Sequence, residues 1–195
     1  MFDLENTLRE TGIVPVIKIS DANRAADLAK ALCAGGMPAA EVTFRTAAAA
    51  EAIYRMRETS PDMLVGAGTV LTKASLDDAL AAGAQFIVAP GLNPSIVEAC
   101  LAKDVPVVPG CMTPSEMELA MAMGLTFVKF FPAEAAGGVK FLKAVSAPYA
   151  GLKFMPTGGI SMKNAADYLA LPYVALLQQY LFSVCRKHKY FGMKS

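Results

Sequence analysis

The segments AAEVTF (39–44), MLVGAG (63–68), QFIVAP (85–90) and VPVVPG (105–110) set the architecture. Each is a short apolar or β-branched run, and Ala- and Leu-rich stretches with helical spacing lie between them. The pattern extends in both directions through GIVPVIKI (12–19), TFVKFF (126–131), LKFMP (152–156) and YVALL (173–177), so that runs recur every 20 to 27 residues. Strands that alternate with helices of this length imply βαβ units and a parallel sheet. Helix starts support the reading. Thr113-Pro114-Ser115-Glu116 is a capping box with proline at the first helical position, and Asn93-Pro94 is a second cap. Ser161 is expected to cap a helix over MKNAADYLAL, and Gly35 and Gly83 are expected to end helices in a left-handed conformation.

Eight strands in 195 residues leave a compact (β/α)8 TIM barrel or a doubly wound open sheet. Length leans away from a barrel, since barrels typically run to about 250 residues. Nucleotide motifs lean the other way. Gly66-Ala67-Gly68-Thr69-Val70-Leu71 begins like G-x-G-x-x-G, but it lacks the third glycine and follows the third strand rather than the first. No G-x-x-x-x-G-K-[ST] loop is present.

Composition narrows the function. Hydrophobic residues make up 54% of the chain, enough for one domain with a substantial core. Eighteen Lys and Arg against 17 Asp and Glu give a net charge of +1, which argues against nucleic acid as a partner. No apolar run reaches the length of a membrane span, and MFDLENTLRE is too polar for a signal peptide. Cys33, Cys100, Cys111 and Cys185 form no CxxC motif, so reduced thiols and a cytoplasmic setting are expected. His188 is the single histidine, which excludes Ser-His-Asp, Cys-His and multi-His metal chemistry. Catalysis must run on Lys, Glu, Asp, Tyr or Cys.

Two strands carry residues that a buried parallel sheet should not. Along the second, Val42 and Phe44 face one way, while Glu41, Thr43 and Arg45 face the other. An unpaired buried charge costs several kcal/mol. Glu41 and Arg45 therefore either pair structurally at a strand end or line a polar pocket at the mouth of a barrel. In the sixth strand, Lys129 lies between Phe127 and Phe131 on one face. A lysine in such a setting is desolvated and becomes a neutral amine, the nucleophile of Schiff-base chemistry. The plain alternative is a strand-end lysine whose stem reaches water. Met155-Pro156-Thr157-Gly158-Gly159-Ile160-Ser161 is either a tight turn or an anion cradle, with paired glycines ahead of a helix N-terminus.

E-V-T-F-R-T (41–46), V-G-A-G-T-V-L (65–71), A-P-G-L (89–92), V-K-F-F-P-A-E (128–134), G-G-V-K (137–140) and M-P-T-G-G-I (155–160) resemble the 2-keto-3-deoxy-6-phosphogluconate aldolase family, which includes the 4-hydroxy-2-oxoglutarate aldolases. The resemblance covers about residues 8 to 175. It implies a metal-free class I aldolase without a cofactor, in a (β/α)8 barrel that assembles as a homotrimer. Lys129 matches the Schiff-base lysine and Glu41 the general acid/base. Arg45 and Thr69 match residues around the pyruvate carboxylate, and Pro90 and Phe131 match pocket walls. Thr157, Gly158 and Gly159 match part of the site for the phosphate and substrate tail. The implied substrate is a keto acid, phosphorylated in the main reaction. That reaction releases pyruvate and glyceraldehyde 3-phosphate; from 4-hydroxy-2-oxoglutarate the products are pyruvate and glyoxylate.

The resemblance stops at LLQQYLFSVCRKHKYFGMKS (176–195), where the family pattern runs into G-G-[ST]-W and a closing helix. The chain is thus expected to be one barrel domain, 1–195, with a divergent tail over 176–195. The eighth βα unit is the place where the barrel would be incomplete. The tail reads either as a reading-frame change or as a variant ending with a short helix from about Val174. Two other functional readings stand beside the aldolase: a non-catalytic barrel that binds small anions without turnover, and a metal-dependent lyase, which the lone histidine disfavours.

Overall fold

The computed structural model describes residues 3–180. In chain order the elements are α1 (Leu4–Arg9), β1 (Ile13–Ile17), α2 (Ala25–Ala34), β2 (Ala39–Thr43), α3 (Ala49–Thr59), β3 (Leu64–Gly68), α4 (Lys73–Ala81), β4 (Ile87–Val88) and α5 (Pro94–Ala102). They continue with β5 (Val107–Val108), β6 (Gly110–Cys111), α6 (Pro114–Ala122), β7 (Phe127–Phe130), α7 (Gly138–Val145), β8 (Lys153–Pro156), α8 (Ala165–Leu169) and β9 (Leu177–Tyr180). The strands pair in parallel throughout. One sheet has the order β5-β4-β3-β2-β1-β9 and the other β6-β7-β8, and the parallel sheet curls into a half-barrel. Single parallel bridges, Phe154 with Val174 and Thr157 with Gln178, link β8 to the last strand segment.

Side-chain alternation divides the core into two layers. Val42, Val65, Ile87, Val128, Phe130 and Leu177 belong to the large cluster between strands and helices. Val14, Ala39, Phe86, Val88, Val108, Phe127, Met155 and Leu176 form a smaller cluster on the other, concave face. Leu4 and Leu8 of α1 join this inner cluster. Asp3 starts α1 by accepting a hydrogen bond from the Asn6 N–H.

Helix starts follow the sequence in two places and depart from it in a third. Thr113 and Glu116 close the capping box of α6, and Asn93 caps α5 ahead of Pro94. A further capping box, Thr72 with Ser75, opens α4. Ser161 does not cap a helix. Residues 162–164 form a turn and α8 starts at Ala165, because the Asn164 carboxamide oxygen accepts from the Ser161 N–H at 2.7 Å and holds the turn. Gly83 is left-handed (φ +89°) as expected, but Gly35 is not. Gly36 takes that role after α2, at φ +75°.

The eighth strand-like run is displaced. YVALL contributes an isolated bridge at Val174 and, with Leu177, only the first residue of the strand, which forms at Leu177–Tyr180 inside the segment read as a divergent tail. No helix starts at Val174. The backbone N–H groups of β9 find partners along β1, where Ile13, Val14, Pro15 and Val16 pair with Leu177, Gln178, Gln179 and Tyr180. A helix there would leave the exposed edge of β1 unpaired. Residues 181–195, with Cys185, His188 and Gly192, lie outside the described residues.

Candidate active site

The concave face turns polar toward the C-terminal ends of the strands. On β2 the inward sequence is Ala39, Glu41, Thr43, and on β7 it is Phe127 followed by Lys129. On the last strand segment Leu176 is followed by Gln178. Each strand thus carries an apolar inward residue below a polar one. Glu41 is 1% exposed, Lys129 5% and Gln178 0%.

Hydrogen bonds connect these strands through their side chains. The Gln178 amide Nε2 donates to Glu41 Oε2, and Thr157 Oγ1 donates to Gln178 Oε1 at 2.9 Å. Thr43 Oγ1 donates to the Ile17 carbonyl at 3.0 Å, tying β2 to the end of β1. Glu41 lies across β3, and this explains a glycine in the GAG stretch. A Cβ on Gly68 would stand 1.7 Å from Glu41 Oε1, so position 68 admits no side chain. The glycine that resembles a dinucleotide fingerprint makes room for a carboxylate.

The electrostatics follow from burial. Burial pushes the Glu41 carboxyl above the ordinary carboxylate range, against the pull of the Lys129 charge, the Gln178 hydrogen bond and the Arg45 charge. Burial pushes Lys129 below the ordinary lysine range; Glu41 opposes this shift and Arg45 adds to it. The Lys129 ammonium position lies 5.1 Å from the centre of the Phe131 ring. The pair therefore holds an amine displaced toward neutrality beside a carboxyl displaced toward protonation, a combination suited to nucleophilic attack and proton transfer.

Arg45 and Thr69 meet at the rim. Arg45 Nε donates to Thr69 Oγ1 at 3.1 Å, and its guanidinium stands 5.2 Å from the centre of the Tyr180 ring. Thr69 has φ +59°, an outlier for a β-branched residue, of the kind that persists where surroundings over-determine it. Thr157 is buried, with its hydroxyl engaged by Gln178, while Gly158 and Gly159 take φ +97° and +80° in the turn behind it. A Cβ on Gly159 would meet Glu134 Cγ at 2.5 Å. Pro90 is half-buried after β4 and borders a cavity of about 330 Å³ with Leu71, Asn93 and Glu116. That cavity is lined by neither Glu41 nor Lys129. Among the described residues, no group of three His, Cys, Asp or Glu side chains could hold a metal ion.

Sequence reasoning missed Gln178, Gln179 and Tyr180. Gln178 completes the carboxylate network, and Gln179 Nε2 donates to the Ile160 carbonyl at 2.8 Å beside the Gly158-Gly159 turn. The signal was present as a polar pair, Gln178-Gln179, at the end of an apolar run. Reading 176–195 as foreign to the fold hid it.

The sequence model of the family described as "KDPG and KHG aldolase" matches residues 4–187, beyond position 175 where the quoted motifs end. The 2-dehydro-3-deoxy-phosphogluconate aldolase of Haemophilus influenzae is 51% identical over 165 residues, covering 85% of this chain and 78% of that protein. The KHG/KDPG aldolase of Escherichia coli is 46% identical over 167 residues, covering 86% and 78%. Two solved structures share the fold closely. The aldolase of Zymomonas mobilis, determined with 3-phosphoglycerate, superposes with a TM-score of 0.87 at 39% identity and covers 90% of this chain and 84% of its own. That of Legionella pneumophila, with pyruvate captured as a covalent carbinolamine, gives 0.88 at 41% identity and covers 91% and 86%.

Proposed function

The chain belongs to the KDPG and KHG aldolase family, and from that premise we propose that it is a class I aldolase working through Lys129 and Glu41. It cleaves 2-keto-3-deoxy-6-phosphogluconate reversibly to pyruvate and glyceraldehyde 3-phosphate, and 4-hydroxy-2-oxoglutarate to pyruvate and glyoxylate. The observation that carries the assignment is the buried Lys129 beside Phe131 and under the influence of the Glu41 charge.

The neutral Lys129 amine attacks the C2 ketone to form a carbinolamine. Glu41 passes a proton to the departing hydroxyl, and water leaves as the protonated imine forms. That cation draws electrons from the C3–C4 bond once a base removes the proton from the C4 hydroxyl, and Glu41 serves as that base. The aldehyde departs, leaving an enamine. Protonation at C3 and hydrolysis release pyruvate and return the amine. Arg45 and Thr69 bind the pyruvate carboxylate, with Pro90 and Phe131 as walls. Gly158 and Gly159 receive the phosphate and substrate tail, next to Thr157.

We infer further that the strands close into an eight-stranded barrel, with β5 and β6 as two pieces of one strand. The β1–β9 ladder and the two bridges from β8 support this. The whole chain then forms one domain. A homotrimer in the cytoplasm is the assembly and setting proposed for it.

Pyruvate and borohydride test the assignment directly. Mass spectrometry and peptide mapping should find one reduced pyruvyl adduct, on Lys129. An adduct on Lys18 or Lys153 instead, or no adduct, overturns it; the second outcome leaves an anion-binding barrel without turnover.

The ending at 176–195 bears on the phosphate. The family pattern runs into G-G-[ST]-W, whereas this chain continues through LLQQYLFSV without a Gly-Gly pair. Losing one or two charge-assisted hydrogen bonds, at roughly 1.5–3 kcal/mol each, weakens phosphate binding about ten- to several-hundredfold. KM for the phosphorylated substrate should therefore rise steeply while imine formation survives. Replacing 176–195 by an ending with Gly-Gly-Ser and a final helix should restore the preference. An unchanged ratio of kcat/KM for phosphorylated and unphosphorylated substrates would show that the ending does not reach the phosphate.

A further inference from the structure

Gln178 is a fully buried amide on the last strand, and both of its ends are bonded to polar groups of the site. Register with β1 sets it opposite Val14, and a single bridge sets it opposite Thr157 of the β8 side. Its Nε2 donates to Glu41 Oε2, while its Oε1 accepts from Thr157 Oγ1. The Thr157 hydroxyl, which also lies 3.3 Å from the Met155 carbonyl, meets the amide at its oxygen, and in this orientation the amide offers its N–H to Glu41. An ionised carboxylate accepts hydrogen bonds only, so this orientation matches Glu41 with its charge on and opposes the burial that would protonate it. Among the described residues, no buried side-chain nitrogen or oxygen lacks a partner, so the network is closed.

We propose that Gln178 is a positioning residue for proton transfer: its amide, paired at its other end with the Thr157 hydroxyl, fixes the Glu41 carboxyl group in place and favours its ionised form. The proposal rests on the reading of Glu41 as the proton carrier. The charges that act on Glu41 are Lys129 from β7 and Arg45 from the end of β2; Gln178 from β9 and Thr157 from the end of β8 face it as neutral donors and acceptors. Methionine at 178 would keep the length and volume and remove the donor. Glu41 would then hold its proton to higher pH, and the acid limb of the activity profile would move up.

The experiment compares the full-length wild type, Gln178→Met, Thr157→Val and the double variant, using 2-keto-3-deoxy-6-phosphogluconate as substrate and pyruvate trapping in parallel. In Gln178→Met, kcat/KM on the acid side should fall about ten- to a hundredfold relative to its own alkaline plateau, the range expected for one hydrogen bond to a charged group. Pyruvate should still be trapped on Lys129. Thr157→Val should move the acid limb the same way by less, and the double variant should match Gln178→Met alone, since the hydroxyl acts only through the amide. An acid limb of Gln178→Met that overlays the wild type, with trapping intact, overturns the proposal. If Gln178→Met does not fold, the decision passes to Thr157→Val, and an unmoved limb there overturns it equally. A wild type that traps no pyruvate on Lys129 overturns the aldolase reading itself, which is a different failure.

Discussion

Lys129→Met should yield a folded protein that traps no pyruvate and turns over at less than about one ten-thousandth of the wild-type rate. General acid–base contributions alone reach about 10⁴-fold, and this variant loses the covalent route on which they act. Methionine reproduces the apolar stem of Lys129 between Phe127 and Phe131, so packing on the concave face is kept and only the amine goes. Lys129→Arg separates nucleophile from charge. It restores a cation beside Glu41 but stays protonated at all working pH values, so it should be as inactive as the methionine variant. The measurement is kcat/KM together with the mass of the borohydride-reduced protein. Activity above about a hundredth of wild type in both variants, or an adduct that moves to another lysine without loss of rate, would remove Lys129 from the mechanism.

Glu41→Gln should lower kcat by about 10²- to 10⁴-fold, the usual span for a general acid–base group, while imine formation is slowed but persists. The substitution also has a pH signature whose sign can be worked out. The Glu41 charge raises the Lys129 pKa against the dominant effect of burial, which lowers it. Removing that charge lets Lys129 lose its proton at lower pH, so the acid limb of pyruvate trapping should move down the pH scale even as turnover collapses. Stopped reactions with pyruvate and borohydride across the pH range measure this. Unchanged turnover would reduce Glu41 to a structural partner of Gln178. An acid limb that moves upward would show that the two groups do not share the electrostatic coupling inferred for them.

Much of the site was legible because its chemistry contradicts its surroundings. Glu41 on a strand that should be apolar on both faces, and Lys129 between two phenylalanines, announce themselves through alternation alone. The interior of a parallel sheet tolerates such residues only where they have partners or work to do. The Thr113 capping box and the Asn93 cap were equally legible, since their hydrogen bonds close within three residues. Local interactions of that kind are written in local sequence.

What alternation and capping determined, then, was the order of strands and helices, the inward face of β2 and β7, and the amine and carboxylate exposed on it. Tertiary structure decided the rest. Ser161 lost its helix to a turn held by Asn164, a competition between two local hydrogen-bond patterns that spacing does not rank. Gly68 proved necessary because Glu41, 27 residues earlier, crosses its strand. The fate of LLQQY was settled by the open edge of β1, more than 150 residues earlier in the chain, which pairs with whatever strand-compatible segment arrives beside it. That pairing turned residues foreign to the expected pattern into the strand beside β1 and carried Gln178 against Glu41. Sequence fixes which groups have chemistry to offer. Only the pairing of strands, a sum of backbone hydrogen bonds between segments distant in the chain, decides which of them meet.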